Sequence, residues 1–242
     1  MKKEKVIDLD VKKGYDKWSK TYDTDKNPLI VLEERNLSDS IGNVKNKIVL
    51  DVGCGTGRIT TKLLRKGAKV FGIDVSPEML SKAKEKTKKY GSKCEFRIAS
   101  AYKIPYERNK FDLVVCNLVL SHLKNLNKAM TEISRVLKVK GFLVISDISP
   151  EAIRYGARTN FLQNDREYKI ANYYHSLEEI FSTFKKSNLA VLELKEPIIT
   201  KKICDITISL YKKYGKPIPH KKEYKQWIGH RGAIIIKAFK FS

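Results

Sequence analysis

Ile48-Val49-Leu50-Asp51-Val52-Gly53-Cys54-Gly55-Thr56-Gly57-Arg58 is the stretch that decides how this chain folds. A short apolar run carries a carboxylate near its end, and glycines follow at every second position. A helical pattern then begins with Thr60, Lys62, Leu63 and Leu64. The run reads as a buried parallel strand, the glycines as a tight turn, and the sequel as a helix start. Glycine is required where the chain turns sharply or where backbone meets a ligand closely, because a Cβ would clash. The helix start adds unpaired N–H groups and the positive end of a dipole. Strand, turn and helix together predict a cradle for a polar ligand of nucleoside type.

A dinucleotide fingerprint places its third glycine three residues after the second, and here that position is Arg58. Asp51 would repel a pyrophosphate and attract a ligand with an amino group. The pattern D-x-G-x-G-x-G resembles the first motif of the class I S-adenosylmethionine-dependent methyltransferases. That resemblance implies a Rossmann-like, doubly wound α/β fold with helices on both faces. Its sheet has seven strands in the order 3-2-1-4-5-7-6, mostly parallel with an antiparallel last strand.

Downstream residues extend the likeness. A second strand, Lys69 to Asp74, ends in a carboxylate suited to two ribose hydroxyls. Ser76-Pro77-Glu78 supplies its own cap and first-turn proline, which leaves Asp74 free for a ligand. After a third strand near Cys94 to Ala99 comes Ser100-Ala101, where the family usually has Asp-Ala. Ser100 can still accept a hydrogen bond from an adenine amino group, although it is neutral and shorter. Phe111 to Cys116 reads as a fourth strand and runs on through Asn117 to His122, similar to the family's block ending in histidine. Lys138 to Ser146 resembles its turn into strand five, with Lys140 in place of one glycine. No Asn-Pro-Pro-Tyr string is present, which lowers DNA bases and protein amides as substrates.

The string Tyr15-Asp16-Lys17-Trp18-Ser19-Lys20-Thr21-Tyr22-Asp23 sets three aromatic residues on one helical face. It is similar to the N-terminal segment of small-molecule methyltransferases of quinone and biotin-precursor pathways, where it caps the methyl-donor pocket. The resemblance thus divides one domain, 1–242, into an N-terminal helical lid (1–44) and a cofactor-binding core (45–147). Two insertions, 148–175 and 196–231, would cover the substrate.

The cofactor implied is S-adenosylmethionine, leaving as S-adenosylhomocysteine. Its expected contacts are Tyr22, Asp51, Gly53, Cys54, Gly55, Gly57, Asp74, Val75, Met79, Ser100, Ala101 and Asn117. Candidates for a general base are His122, His175 and Tyr22, each weighed against a purely structural role. Tyr15, Trp18, Arg154, Arg158 and Tyr174 are the candidates for holding the acceptor, with arginine suited to an acidic group.

Composition bounds the rest. The chain has 242 residues, 42% hydrophobic, enough for one α/β domain with additions. No apolar run approaches the roughly 20 residues of a membrane span. No apolar segment follows Met1-Lys2-Lys3-Glu4-Lys5, so a signal peptide is not expected. Cys54, Cys94, Cys116 and Cys204 are scattered, which suits reduced thiols in a cytoplasmic protein and no metal site. Lys plus Arg number 49 against 27 acidic residues, a formal charge of +22. The lysines spread over most helix surfaces, which favours a solvated surface over a dedicated nucleic-acid face. The expected reaction is methyl transfer to a small molecule. An RNA-modifying methyltransferase using the basic 196–231 segment is the alternative, and a non-methylating nucleoside-binding enzyme on the same fold is a further one.

Overall fold

The computed structural model describes residues 6–25, 27–164, 166–215 and 225–242. Residues 216–224 of the basic segment therefore lie outside the described residues.

A seven-stranded sheet forms the centre, built from β2 (Ile48–Val52), β3 (Lys69–Asp74), β4 (Cys94–Ile98), β5 (Phe111–Asn117), β6 (Leu137–Ile148), β9 (Leu189–Lys195) and β10 (Ala233–Lys240). Its order is β4-β3-β2-β5-β6-β10-β9. This is the order implied by the resemblance. Only β10 runs against its neighbours, pairing antiparallel with both β6 and β9.

Side chains alternate along each strand, so successive residues face opposite layers. Val49, Leu113, Val144 and Ile235 point into one core with Leu37, Leu63 and Leu64. Leu50, Val114, Ile145 and Ile234 point into the other, with Met130, Ile133 and Phe184. Burial of both faces explains why these strands read as nearly continuous apolar runs. The helices on the first face include α2 (Pro28–Ile41) and α3 (Arg58–Arg65). Those on the second include α5 (Leu126–Val136) and α7 (Leu177–Lys186). Sheet order reverses between β2 and β5, and a crevice opens there at the carboxyl ends of the strands.

A second sheet differs from the expectation of a helical lid. β1 (Ile7–Leu9) pairs parallel with β8 (Arg166–Ile170), which pairs antiparallel with β7 (Asn160–Gln163). The N-terminus and the 148–175 insertion are thus one body, with α1 (Val11–Trp18) packed on it. Gly14 makes the close approach possible, since a Cβ there would lie 2.7 Å from Ile170. Helix α1 stops at Trp18, and Tyr22 follows in a turn rather than on the same helical face. Helix α2 packs on β10 and β6 instead of over the crevice. Against it lies α8 (Lys201–Lys213), the described helix of the 196–231 segment.

Candidate functional site

After Val52 the backbone turns through Gly53, Gly55 and Gly57, all at positive φ (66°, 54° and 78°). Each glycine is needed for a different reason. A Cβ on Gly53 would strike Val119 at 2.3 Å, and one on Gly57 would press on Ala83 at 3.2 Å. Gly55 has nothing within 4 Å, because it faces open space. Gly57 therefore serves helix packing against α4 (Pro77–Thr87) and does not border the crevice.

Asp74 stands at the end of β3. Its Oδ2 accepts the Gly55 N–H at 2.8 Å and its Oδ1 accepts the Ser76 N–H at 2.9 Å. Ser76 caps α4 as read from the sequence, with Oγ accepting from the Met79 N–H at 3.1 Å. Asp74 is not left free by that cap, since it fastens the glycine loop. Each of its oxygens keeps further acceptor capacity. Burial pushes its carboxyl above the usual range, against the backbone hydrogen bonds that pull it down.

Asp51 sits behind the loop at 1% exposure and accepts from Thr60 Oγ1 at 2.6 Å. Burial pushes it up to about 7. Cys54 turns under the loop toward Gly72, and burial raises its thiol. Neither side chain reaches the crevice.

The crevice is a cavity of about 500 Å³. Val52, Gly53, Gly55, Asp74, Val75 and Met79 form its floor. Ala99, Ser100, Ala101 and Tyr102 close the β4 side; Asn117, Leu118, Val119, His122 and Leu123 close the β5 side. The roof is Asp10, Val11, Lys12, Tyr15, Tyr22, Ala171 and Tyr173. Two aspartates of the aromatic string pin this roof down. Asp16 accepts from Ser76 Oγ at 2.6 Å, and Asp23 accepts from Thr56 Oγ1 at 2.7 Å. Trp18 stacks on Phe161 at 5.0 Å, and Phe161 on Tyr168 at 5.2 Å, which joins α1 to the second sheet.

On the β5 side, Asn117 Nδ2 donates to Ser146 Oγ at 2.8 Å, and Ser146 donates to Glu33. Among the described residues, the buried Asn117 Oδ1 finds no hydrogen-bond partner. Leu118 takes the left-handed conformation, with φ of 58°, which brings the following residues to the cavity wall. His122 Nδ1 lies 2.8 Å from the Ala171 carbonyl, and Tyr15 Oη lies 2.9 Å from His122 Nε2. A carbonyl only accepts, so Nδ1 carries the hydrogen and the neutral ring's Nε2 accepts from Tyr15. Burial lowers the His122 pKa, opposed by the Ala171 bond and the Asp147 charge. Burial likewise pushes Tyr22 up to about 12.

Five other candidates do not line the cavity. His175 Nε2 donates to the Leu123 carbonyl at 2.8 Å while Nδ1 meets Glu179 at 3.1 Å, so it braces a loop. Arg158 Nη1 donates to the carbonyls of Ile153 and Ala157. Arg154 lies over the Tyr174 ring at 5.7 Å, outside the roof. Trp18 gives its Nε1 hydrogen to Asp25 at 2.8 Å. In the run Tyr173-Tyr174-His175 only Tyr173 turns inward. Tyr102, Leu118, Val119 and Tyr173 were not singled out by sequence. Leu118 and Val119 carried no signal beyond an apolar run, whereas Tyr173 stood in a visible aromatic cluster.

A sequence profile described as a methyltransferase domain matches residues 43–225. The chain belongs to the methyltransferase domain family. Residues of this methyltransferase domain are 38% identical over 109 positions to an uncharacterised methyltransferase of Schizosaccharomyces pombe, covering 41% of this chain and 39% of that protein. They are 30% identical over 144 positions to demethylmenaquinone methyltransferase of Tropheryma whipplei, covering 58% and 59%. The matched stretches of the chain thus span 39% and 59% of the length of these curated relatives. A crystal structure of an S-adenosylmethionine-dependent methyltransferase from Mesorhizobium loti shares the fold, with a TM-score of 0.67 and 16% identity over 89% of this chain and 99% of that one.

Proposed function

We propose that the chain transfers a methyl group from S-adenosylmethionine to a small molecule held under the roof. The observation that carries this reading is the single cavity joining Gly55 and Asp74 to Asn117 and His122. Its residues fit the cofactor. Gly55 leaves open space where any side chain would project. Asp74 offers carboxylate oxygens to ribose hydroxyls, and the orphaned Asn117 Oδ1 offers an acceptor to the amino group of the methionine part. Val75, Met79, Ser100 and Ala101 supply an apolar slot with one hydroxyl for adenine.

S-adenosylmethionine brings an electrophilic methyl on a sulfonium. The protein's own task is then alignment of the acceptor, exclusion of water and removal of a proton where the acceptor carries one. The roof performs the first two, pinned to the start of α4 through Asp16 and to the glycine loop through Asp23.

A cavity of about 500 Å³ supports a small acceptor rather than a polymer. Lys12 is the single lysine or arginine among the described residues that line it, whereas an RNA strand needs several phosphate contacts. The demethylmenaquinone methyltransferase among the relatives supports a flat, quinone-like acceptor, with Tyr22 and Tyr173 as its walls.

Titration calorimetry with S-adenosylmethionine, S-adenosylhomocysteine and NAD tests the reading. Binding of the two adenosyl compounds is expected. Binding of NAD alone overturns it. Tight RNA binding that weakens steeply with salt would instead favour the polymeric substrate.

A further inference from the structure

Tyr15 and His122 meet at the cavity wall from opposite sides. One comes from the roof helix α1, the other from the turn after β5. Resting on the methyl-transfer reading, we propose that Tyr15 is the catalytic contact for an acceptor hydroxyl on an unsaturated ring, and that His122 is the positioning residue that takes up its proton.

The hydrogen-bond directions allow only one flow. The Ala171 carbonyl holds the hydrogen on Nδ1, so Nε2 is bare and accepts from Tyr15. A phenol that donates to Nε2 still has lone pairs, and these can accept from an acceptor hydroxyl. The acceptor oxygen bonds to the methyl carbon as the carbon–sulfur bond breaks, its proton passes to Tyr15 Oη, and the Tyr15 proton passes to Nε2. Tyr15 ends neutral and His122 ends as imidazolium, so one positive charge has moved from sulfur to the ring.

Burial disfavours that charge on His122, and the Ala171 carbonyl and the Asp147 carboxylate oppose the penalty. Asp147 is 2% exposed and sits beneath the turn, accepting the Ser121 N–H at 3.0 Å and its neighbour Ile148 N–H at 2.7 Å. Burial pushes the Asp147 carboxyl up, opposed by the charge of a protonated His122 and by these hydrogen bonds. Asp147 thus fixes the turn that carries His122 and supplies the counter-charge for the proton it gains. The cavity that holds the pair is also lined by apolar and aromatic side chains, Leu118, Val119 and Leu123 with Tyr22 and Tyr173. Such walls fit a ring. A relay of this kind is useless to an acceptor without a proton on its attacking atom.

The charged and titratable groups facing the pair are Tyr22, Asp74 and Asp147, with Asp10, Lys12 and Tyr173 on the roof and Tyr102 on the β4 side. Any pH profile must be read against these, so the test compares variants rather than one curve.

The full chain is first examined ligand-free by nitrogen-15 NMR of its histidines. His122 is expected with a protonated Nδ1 and a bare Nε2, and Tyr15→Phe is expected to move the Nε2 resonance. A protonated Nε2 at neutral pH overturns the relay. Radiolabelled methyl transfer is then followed to phenol, to para-nitrophenol, and to pyridine, which has no proton to lose. Label is expected on the phenols and not on pyridine. Tyr15→Phe should lower kcat on phenol about a hundredfold, the lower range for a proton-transfer catalyst. Its S-adenosylhomocysteine affinity by calorimetry should not change, and its defect should largely vanish on para-nitrophenol at mildly alkaline pH, where that phenol is already ionised. His122→Asn should show the same split and lose the acid limb of the kcat profile. An equal defect on both phenols means a packing role and overturns the proposal, as does transfer to pyridine at a matching rate. Failure of the wild type to bind S-adenosylhomocysteine sinks the methyl-transfer reading itself; binding without transfer to any phenol sinks only the hydroxyl acceptor.

Discussion

Arg58 and Glu33 form a buried ion pair, Nη2 to Oε2 at 2.6 Å, between the first turn of α3 and the middle of α2. Glu33 is fully buried and the Arg58 side chain is 12% exposed. Arg58 occupies the position where a dinucleotide fold needs its third glycine, and the side chain has become a strut that holds the glycine loop against α2. The same Glu33 accepts from Ser146, which accepts from Asn117, so the strut extends to the cavity wall. Removing one member of a buried pair leaves the other charge uncompensated, at a cost of about 3–5 kcal/mol. Glu34 also meets Arg58, at 3.4 Å, which places the loss for Glu33→Ala at the low end of that range, about 3 kcal/mol. Urea unfolding measures it. Replacement of both partners, Glu33→Leu with Arg58→Met, should recover most of the stability.

Gly55 and Gly57 should respond differently to the same substitution. Both sit at positive φ, where a non-glycine residue costs about 1–2 kcal/mol. Gly57→Ala adds a clash with Ala83 and should lower the thermal midpoint more. A Cβ at Gly55 meets nothing within 4 Å, so Gly55→Val projects into the cavity floor. It should abolish S-adenosylhomocysteine binding while the protein stays folded at room temperature. Calorimetry beside circular dichroism separates the two outcomes.

Asp74→Ala should weaken S-adenosylmethionine binding by about 2 kcal/mol, the loss of charge-assisted hydrogen bonds. It also removes the acceptor for the Gly55 N–H, so part of that loss is loosening of the loop. Unchanged affinity in a folded variant would take the ribose contact away from Asp74.

Asp51 makes a pH prediction. Its carboxyl is pushed from 3.8 up to about 7 in the folded protein, chiefly by burial. A raised pKa means that the folded state binds the proton more tightly than the unfolded chain. The stabilising contribution is full below the unfolded pKa and is lost as pH rises to about 7. Asp51→Asn keeps an acceptor for Thr60 and cannot ionise. The variant should gain on the wild type as pH rises from about 4 to 7, and urea midpoints across that range would show it. A constant difference would mean that Asp51 does not titrate there.

Lys140 stands at φ of 64°, in the slot where the family pattern has glycine. The exchange places a lysine in left-handed backbone. Lys140→Gly should raise stability by about 1 kcal/mol, the relief of that conformation less the added chain entropy. It should leave S-adenosylhomocysteine affinity unchanged, since Lys140 is not among the residues lining the cavity.

How legible was all this in the sequence? Strands such as Val49 to Val52 and Phe111 to Cys116 announce themselves, because burial on both faces demands unbroken apolar runs. Ser76 announces its helix by local logic and accepts the expected Met79 N–H. The order of the strands came from the resemblance alone. The second sheet was hidden: β1 has three residues, β7 has four, and neither pattern says which distant strand it will meet. Direction was hidden as well. Arg158 has the right chemistry for an anion, but it spends its guanidinium on two nearby carbonyls. His122 and His175 look alike as residue types. Only the fold turns the first to the cavity and the second to Leu123.

The pairing of Ile7–Leu9 with Tyr168–Ile170 also sets a schedule. One edge of the roof precedes β2 to β6 along the chain, and its partner edge follows them. Contacts between such distant segments close late, because they carry the largest loop entropy. Strands β2 to β6 can therefore condense while the cavity is still uncovered. The same ordering run backwards gives the folded protein a cheap local opening, in which β1 and α1 lift away and the sheet beneath stays intact. Amide exchange should then show two tiers, fast in β1 and α1 and slow in β2 and β5. The faster tier would set how quickly any ligand gains or leaves the cavity.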